Sequence, residues 1–324
     1  MPTARTARSA PAALLASAAL LLAGCGGSEG SGDGSGAGSS TEPSRTITVP
    51  APSPGGSGEG LRPDPSVAHE DKPDAYDQGC QARPGSSEVI TCTFGAEDPG
   101  DAGTSVALVG DSKAMQWLPA LEAIAEEEGW RVVTMTKSGC QWTDAISTVD
   151  GAPDAECHAW GAQVTDDLLE LSPDLVVTSG VRNRAATVEN PGQRSVGALA
   201  DGYAQVWDEV TAAGSPVAVL TDTPQPGDLE DVPTCVATHP GDAEACTIPF
   251  NEGSGTEPLR AGVERSEQAR LIDLTGVLCP EQTCRPTFGD VLIYREGSHV
   301  TATYAAELAP TLRPALTEAL TASF

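Results

Sequence analysis

The feature that most constrains the fold is an alternation of short, continuous apolar runs with longer amphipathic stretches. Residues 104–109 (TSVALV), 131–135, 174–178 (DLVVT), 216–221 and 269–274 read as strands. Between and after them, residues 114–128, 161–171, 196–213, 257–268 and 301–320 carry helical periodicity. Uninterrupted β-branched runs leave no polar face, so each strand is expected to be buried on both sides, as in a parallel sheet. The fold class is therefore α/β: three layers, a doubly wound and mostly parallel sheet, in one domain spanning residues 78–324. No internal repeat is visible.

The N-terminus has a different character. Arg5 and Arg8 precede an apolar stretch (residues 12–22) too short to remain as a membrane span. It ends in Leu22-Ala23-Gly24-Cys25, which resembles the bacterial lipobox. That resemblance implies removal of residues 1–24, diacylation of Cys25 and anchoring to the outer face of the cell membrane. The alternative is a plain secretory signal with Cys25 an incidental thiol. From Gly26 to about Asp74 the chain is rich in Gly, Ser and Pro, with almost no large apolar residue. It is expected to be a disordered tether, residues 25–77.

Nine cysteines less the lipid-bearing one leave eight, an even number that suits a non-reducing compartment. Eight cysteines allow about 105 pairings. Neighbour pairing closes short loops and is the expectation: Cys80 with Cys92, Cys140 with Cys157, Cys235 with Cys246, Cys279 with Cys284. A zinc site fits poorly, because no C-x-x-C occurs. No cofactor is implied. The net charge is −28, and losing Arg5 and Arg8 takes it to −30. A chain so acidic has no electrostatic means of binding nucleic acid.

In doubly wound folds, function collects at the carboxyl ends of the strands. The first such loop is Val109-Gly110-Asp111-Ser112-Lys113. Gly110 permits a tight exit, and Ser112 is then either a helix cap or a nucleophile at the start of a helix. His299 follows the apolar run at 291–294 and precedes the last helix, with Glu296 three residues before it. A carboxylate on one turn with an imidazole can fix the tautomer that leaves the other ring nitrogen free as a base. The alternative is a surface histidine at a helix start.

Taken together, V-G-D-S-K-A-M-Q-W-L-P-A-L around Ser112, T-K-S-G-C around Gly139 and Y-R-E-G-S-H-V-T around His299 resemble the SGNH (GDSL-like) hydrolase family. The nearest likeness is the branch of SGNH domains associated with membrane acyltransferases that modify cell-surface glycans. The resemblance implies a flavodoxin-like SGNH fold. It implies Ser112 as nucleophile, His299 as base and Glu296 as its orienter, with an oxyanion hole formed from Ser112, Gly139 and Asn183. It also implies cell-envelope carbohydrate as substrate, acetyl as acyl group and a membrane acyltransferase as partner.

Three residues depart from the pattern. Lys113 stands where this branch commonly has His, and is expected to steer an anionic substrate or lie on the surface. Glu296 replaces Asp. Asn183 is displaced by one position from the usual Gly-x-Asn. Two classes stay open: a serine esterase or O-acyltransferase, and a non-catalytic SGNH-fold binding or scaffolding lipoprotein. Catalysis should fail as pH drops through the histidine's titration, since only neutral imidazole accepts the serine proton.

Overall fold

Within residues 106–109, side chains alternate between two hydrophobic clusters: Val106 and Leu108 join one, Ala107 and Val109 the other. Successive residues of a strand face opposite sides, so this run is buried from both. The same sorting recurs along the sheet, with Leu175 and Val177 against Val176, and Ala218 and Leu220 against Val217 and Val219. The computed structural model describes residues 45–53, 60–96, 103–181, 185–187, 190–226 and 231–321.

Five parallel strands form the centre, in the spatial order Arg131–Lys137, Ser105–Gly110, Leu175–Ser179, Val217–Leu220, Arg270–Asp273. Numbered by appearance this is 2-1-3-4-5, the flavodoxin-like order, whose switch point lies beside the Ser105–Gly110 strand. Helix Leu118–Glu128 and the C-terminal helices cover one face through Leu121, Ile124, Leu312 and Leu316. Helices Ala155–Leu171, Val196–Ala212 and Thr256–Arg265 cover the other through Trp160, Val164, Trp207 and Leu259. Each such apolar side chain contributes about 1.5–3 kcal/mol by leaving water.

Two expected helices are broken. Residues 114–128 become Ser112–Met115 and Leu118–Glu128, with Pro119 in the first turn of the second, where its missing N–H costs nothing. Residues 301–320 become Ala302–Glu307 and Ala309–Thr321. Thr301 caps the first of these, its hydroxyl accepting from the Tyr304 amide at 3.0 Å.

The tether expected over residues 25–77 is corrected for its described part. Thr46–Thr48 pairs in parallel with Arg270–Asp273 as the outermost strand of the eight-stranded sheet, and buries Ile47 and Val49. The Arg62 amide donates to the Asp290 carbonyl at 2.8 Å, and the Leu292 amide donates to the Arg62 carbonyl at 2.9 Å. Ala68 and Ala75 are buried. The compact unit accordingly begins at Pro43, not at residue 78. A composition poor in large apolar residues was no obstacle, because edge pairing is made by main-chain groups that every such residue carries. Cys25 and the segment before it lie outside the described residues.

The structure joins the eight cysteines as Cys80–Cys92, Cys140–Cys157, Cys235–Cys246 and Cys279–Cys284. Cys80 and Cys92 adjoin or lie in two edge strands, Gln81–Ala82 and Thr91–Gly95, which both pair with Arg131–Lys137. Cys140–Cys157 ties the loop after Arg131–Lys137 to helix Ala155–Leu171.

Candidate active site

Gly110 ends its strand at φ +136°, and a Cβ there would sit 2.6 Å from the Ser179 carbonyl oxygen. Only glycine allows the neighbouring strand end to approach so closely. Asp111 follows, fully buried, and its carboxylate accepts two backbone N–H groups: Lys113 at 2.8 Å and Val181 at 2.7 Å. One side chain thus caps the short Ser112–Met115 helix and straps it to the loop after Leu175–Ser179. Burial pushes its pKa up to about 6, against the pull of the two amides. Capping falls to Asp111, which leaves the Ser112 hydroxyl for other work.

That hydroxyl lies 2.9 Å from Nε2 of His299. The histidine sits on a small hairpin, Tyr294–Glu296 against His299–Val300, closed by Gly297 and Ser298. Gly297 takes φ +50° in this turn. The far strand is fixed to the nucleophile segment, since the Val300 amide donates to Gln116 Oε1 at 3.2 Å. Ser112 and Gly139 remain partly exposed. Among the described residues, neither of their amides has a hydrogen-bond partner. Gly139 is held at φ +66° in the turn anchored by Cys140–Cys157. The third expected oxyanion residue, Asn183, lies outside the described residues.

Two expectations are corrected. The Glu296 carboxylate does not orient His299: it is 75% exposed and faces the Arg295 guanidinium at 3.7 Å. The tight turn brings the main chain of Glu296 near the ring instead, where it favours the protonated imidazole, against the larger effect of burial. Lys113 is neither on the surface nor available to a substrate, being 1% exposed. Its Nζ pairs with Asp222 at 3.2 Å and donates to Thr223 Oγ1, to Ser298 Oγ at 2.6 Å and to the Ser298 carbonyl at 2.8 Å. A buried ammonium requires such partners.

Asp222 and Thr223 escaped the sequence reading. The available signal was Thr221-Asp222-Thr223, polar residues placed directly after an apolar strand, where sites form. The electrostatics around the base are unusual as a result. Burial, then the charges of Lys113 and Arg295, push the His299 pKa down to about 3. The ring is therefore neutral, and able to accept a proton, far below the ordinary histidine range.

A serine and a histidine joined at the carboxyl edge of a 2-1-3-4-5 sheet define a serine hydrolase of the α/β class. The chain belongs to the SGNH family: the model for the SGNH domain (fused to AT3 domains) matches residues 78–314. It is thereby a serine esterase or acyltransferase of the SGNH type. Among solved structures it is similar to the periplasmic domain of a lipopolysaccharide acetyltransferase from Salmonella ser. Paratyphi A. That match has 12% identity and a TM-score of 0.50, and covers 67% of this chain and 85% of that one. A GDSL-like lipase from Bacteroides thetaiotaomicron matches with 14% identity and a TM-score of 0.40, over 67% of this chain and 89% of that one. No curated protein matches. Among the described residues no helix is long and apolar enough to cross a membrane.

Proposed function

We propose that this protein is an exported, lipid-anchored serine esterase or O-acyltransferase acting on O-acyl groups, acetyl foremost, of cell-envelope carbohydrate. The observation that carries the reading is the 2.9 Å contact between Ser112 Oγ and His299 Nε2, across 187 positions of sequence. In the first step Ser112 Oγ attacks the ester carbonyl carbon while His299 takes the serine proton. The resulting oxyanion is met by the Ser112 and Gly139 amides. Collapse breaks the ester C–O bond, and the departing sugar hydroxyl receives the proton from His299. Water, or the hydroxyl of a second sugar, then attacks the acyl-serine by the same route in reverse.

A base held near pKa 3 is a weak one at rest. The tetrahedral oxyanion supplies, beside the ring, the negative charge that no carboxylate provides, so basicity rises as the reaction proceeds. Support for the cellular setting comes from the lipobox-like Leu22–Cys25, from four disulfides that suit a non-reducing compartment, and from a family description that names fusion to AT3 domains. The Salmonella domain, named for lipopolysaccharide acetylation, supports carbohydrate as the acceptor class.

One observation favours a second reading, a non-catalytic binding or scaffolding lipoprotein: among the described residues no carboxylate touches His299. Turnover of p-nitrophenyl acetate and labelling of Ser112 by a serine-directed phosphonate are expected on the enzymatic reading. Failure of both in the correctly disulfide-bonded protein selects the second. Release from the membrane fraction on Cys25→Ala tests the anchor, and unchanged retention defeats it.

A further inference from the structure

We propose that Lys113 is a positioning residue of this site: held by Asp222, it pins the Gly297–Ser298 turn so that His299 stays opposite Ser112. The inference rests on the hydrolase reading above. Lys113 follows the nucleophile directly in sequence, and its side chain runs beneath the loop to reach the hairpin that carries the base. Both Ser298 acceptors, the carbonyl and the hydroxyl, receive hydrogen bonds from Nζ, at 2.8 and 2.6 Å. Thr223, itself bonded to Nζ, also donates to the Ser298 carbonyl. The three hydrogens of the ammonium are thus committed to Thr223 Oγ1 and to the hydroxyl and carbonyl of Ser298, while Asp222 Oδ1 at 3.2 Å meets its charge.

The anchor behind the lysine is equally fixed. Asp222 Oδ2 accepts the Gly255 amide at 2.9 Å, and its carbonyl accepts Thr256 Oγ1 at 3.1 Å. Gly255 has no room for a side chain, since a Cβ would lie 1.9 Å from the Gly180 carbonyl oxygen. One network therefore joins the nucleophile loop, the end of Val217–Leu220, the start of Thr256–Arg265 and the histidine turn. A buried ion pair is a poor source of stability compared with apolar packing. What it supplies here is a defined geometry between two segments that must meet to within a fraction of an ångström.

Lys113 also acts on the ring by charge. The cations that disfavour a proton on His299 are Lys113 and, from the hairpin itself, Arg295. Asp111 and Asp222 act on Lys113. The Glu296 carboxylate points to solvent. Of the segments packed on the hairpin, Ala68–Glu70 offers His69 and Glu70, paired with each other on the surface, and Val232–Thr238 offers no titrating side chain.

The test is the double variant Lys113→Met/Asp222→Asn, which removes both buried charges together and so avoids leaving Asp222 unpaired. Folding is checked by circular dichroism and intact disulfides. The expected result is a fall in kcat on p-nitrophenyl acetate of about tenfold to a hundredfold, with KM changed little. The His299 ring titration, followed by NMR, is expected to move up by about half a pH unit or more. Ser298→Ala, which deletes one contact without stranding a charge, is expected to lower kcat in the same direction by a smaller factor. An unmoved titration overturns the proposal, as does a kcat equal to that of the wild type. A wild-type protein with neither turnover nor phosphonate labelling overturns the hydrolase reading instead, and the titration still reads the lysine's action on the ring.

Discussion

The nucleophile loop and the histidine hairpin meet at one hydrogen bond but are held in opposite ways. The loop is fixed from within by buried groups: a glycine with no room for a Cβ, the Asp111 carboxylate on two amides, and a lysine paired with Asp222. The hairpin is short, and what fixes its histidine comes from other segments: Gln116 and Lys113. The carboxylates of the site stand behind the serine rather than behind the histidine. The difference teaches that a base can be placed by a cation-held turn, with its charge state set by burial.

The strongest challenge to that comparison is to delete its meeting point. Ser112→Ala and His299→Ala are each expected to reduce esterase turnover by at least about 10³-fold, and the double variant by little more, because the two act as a unit. Additive losses in a p-nitrophenyl acetate assay would break the pairing. On the loop side, Asp111→Asn keeps one acceptor oxygen for two amides. Its kcat is expected to fall about tenfold to a hundredfold, since the loop geometry loosens; steady-state kinetics unchanged from the wild type would show that the strap is dispensable. Replacing Cys140 and Cys157 by Ser is expected to lower unfolding free energy by about 3 kcal/mol, read by urea denaturation.

On the hairpin side the first effect is on stability and appears only as the pH falls. His299 takes a proton near its ordinary pKa when unfolded but only near 3 when folded. Stability is therefore lost progressively as pH falls from about 6.5 toward 3, at up to about 1.4 kcal/mol per pH unit. Urea midpoints of His299→Gln are expected to lack that contribution, and an identical pH dependence in the variant would contradict it. Smallest of all, Glu296→Gln is expected to leave kcat within about threefold of the wild type, because its exposed side chain faces Arg295 and not the histidine. A loss of a hundredfold would return the carboxylate to the role its spacing suggested.

Central strands were legible because burial on both faces leaves an unmistakable apolar run. Thr46–Thr48, Gln81–Ala82 and Thr91–Gly95 were not, because edge strands are recruited by main-chain hydrogen bonds that composition does not record. Ser112 and His299 could be nominated through motif likeness, whereas spacing alone cannot bring together residues so far apart in the chain. Glu296 shows the limit of that likeness: it stands three residues before the histidine as the pattern asks, and its side chain turns elsewhere. Lys113 was misjudged because its counter-ion lies on another strand end. A buried lysine and an exposed one look alike until the partner is known.

The Thr46–Thr48 strand runs parallel to the central five, so the chain enters at the amino edge of the sheet, opposite the carboxyl edge that bears Ser112. Under the proposed acylation at Cys25, the stretch between anchor and first strand would be only residues 26–45, with a contour of at most about 70 Å. Such a tether would be less than half as long as one running to residue 77, and it would join the domain at the edge opposite the serine. Under that proposal the point of attachment and the serine lie at opposite edges of the sheet, so the anchor would not crowd the site. The domain's reach into the envelope would then be set by the contour of that tether.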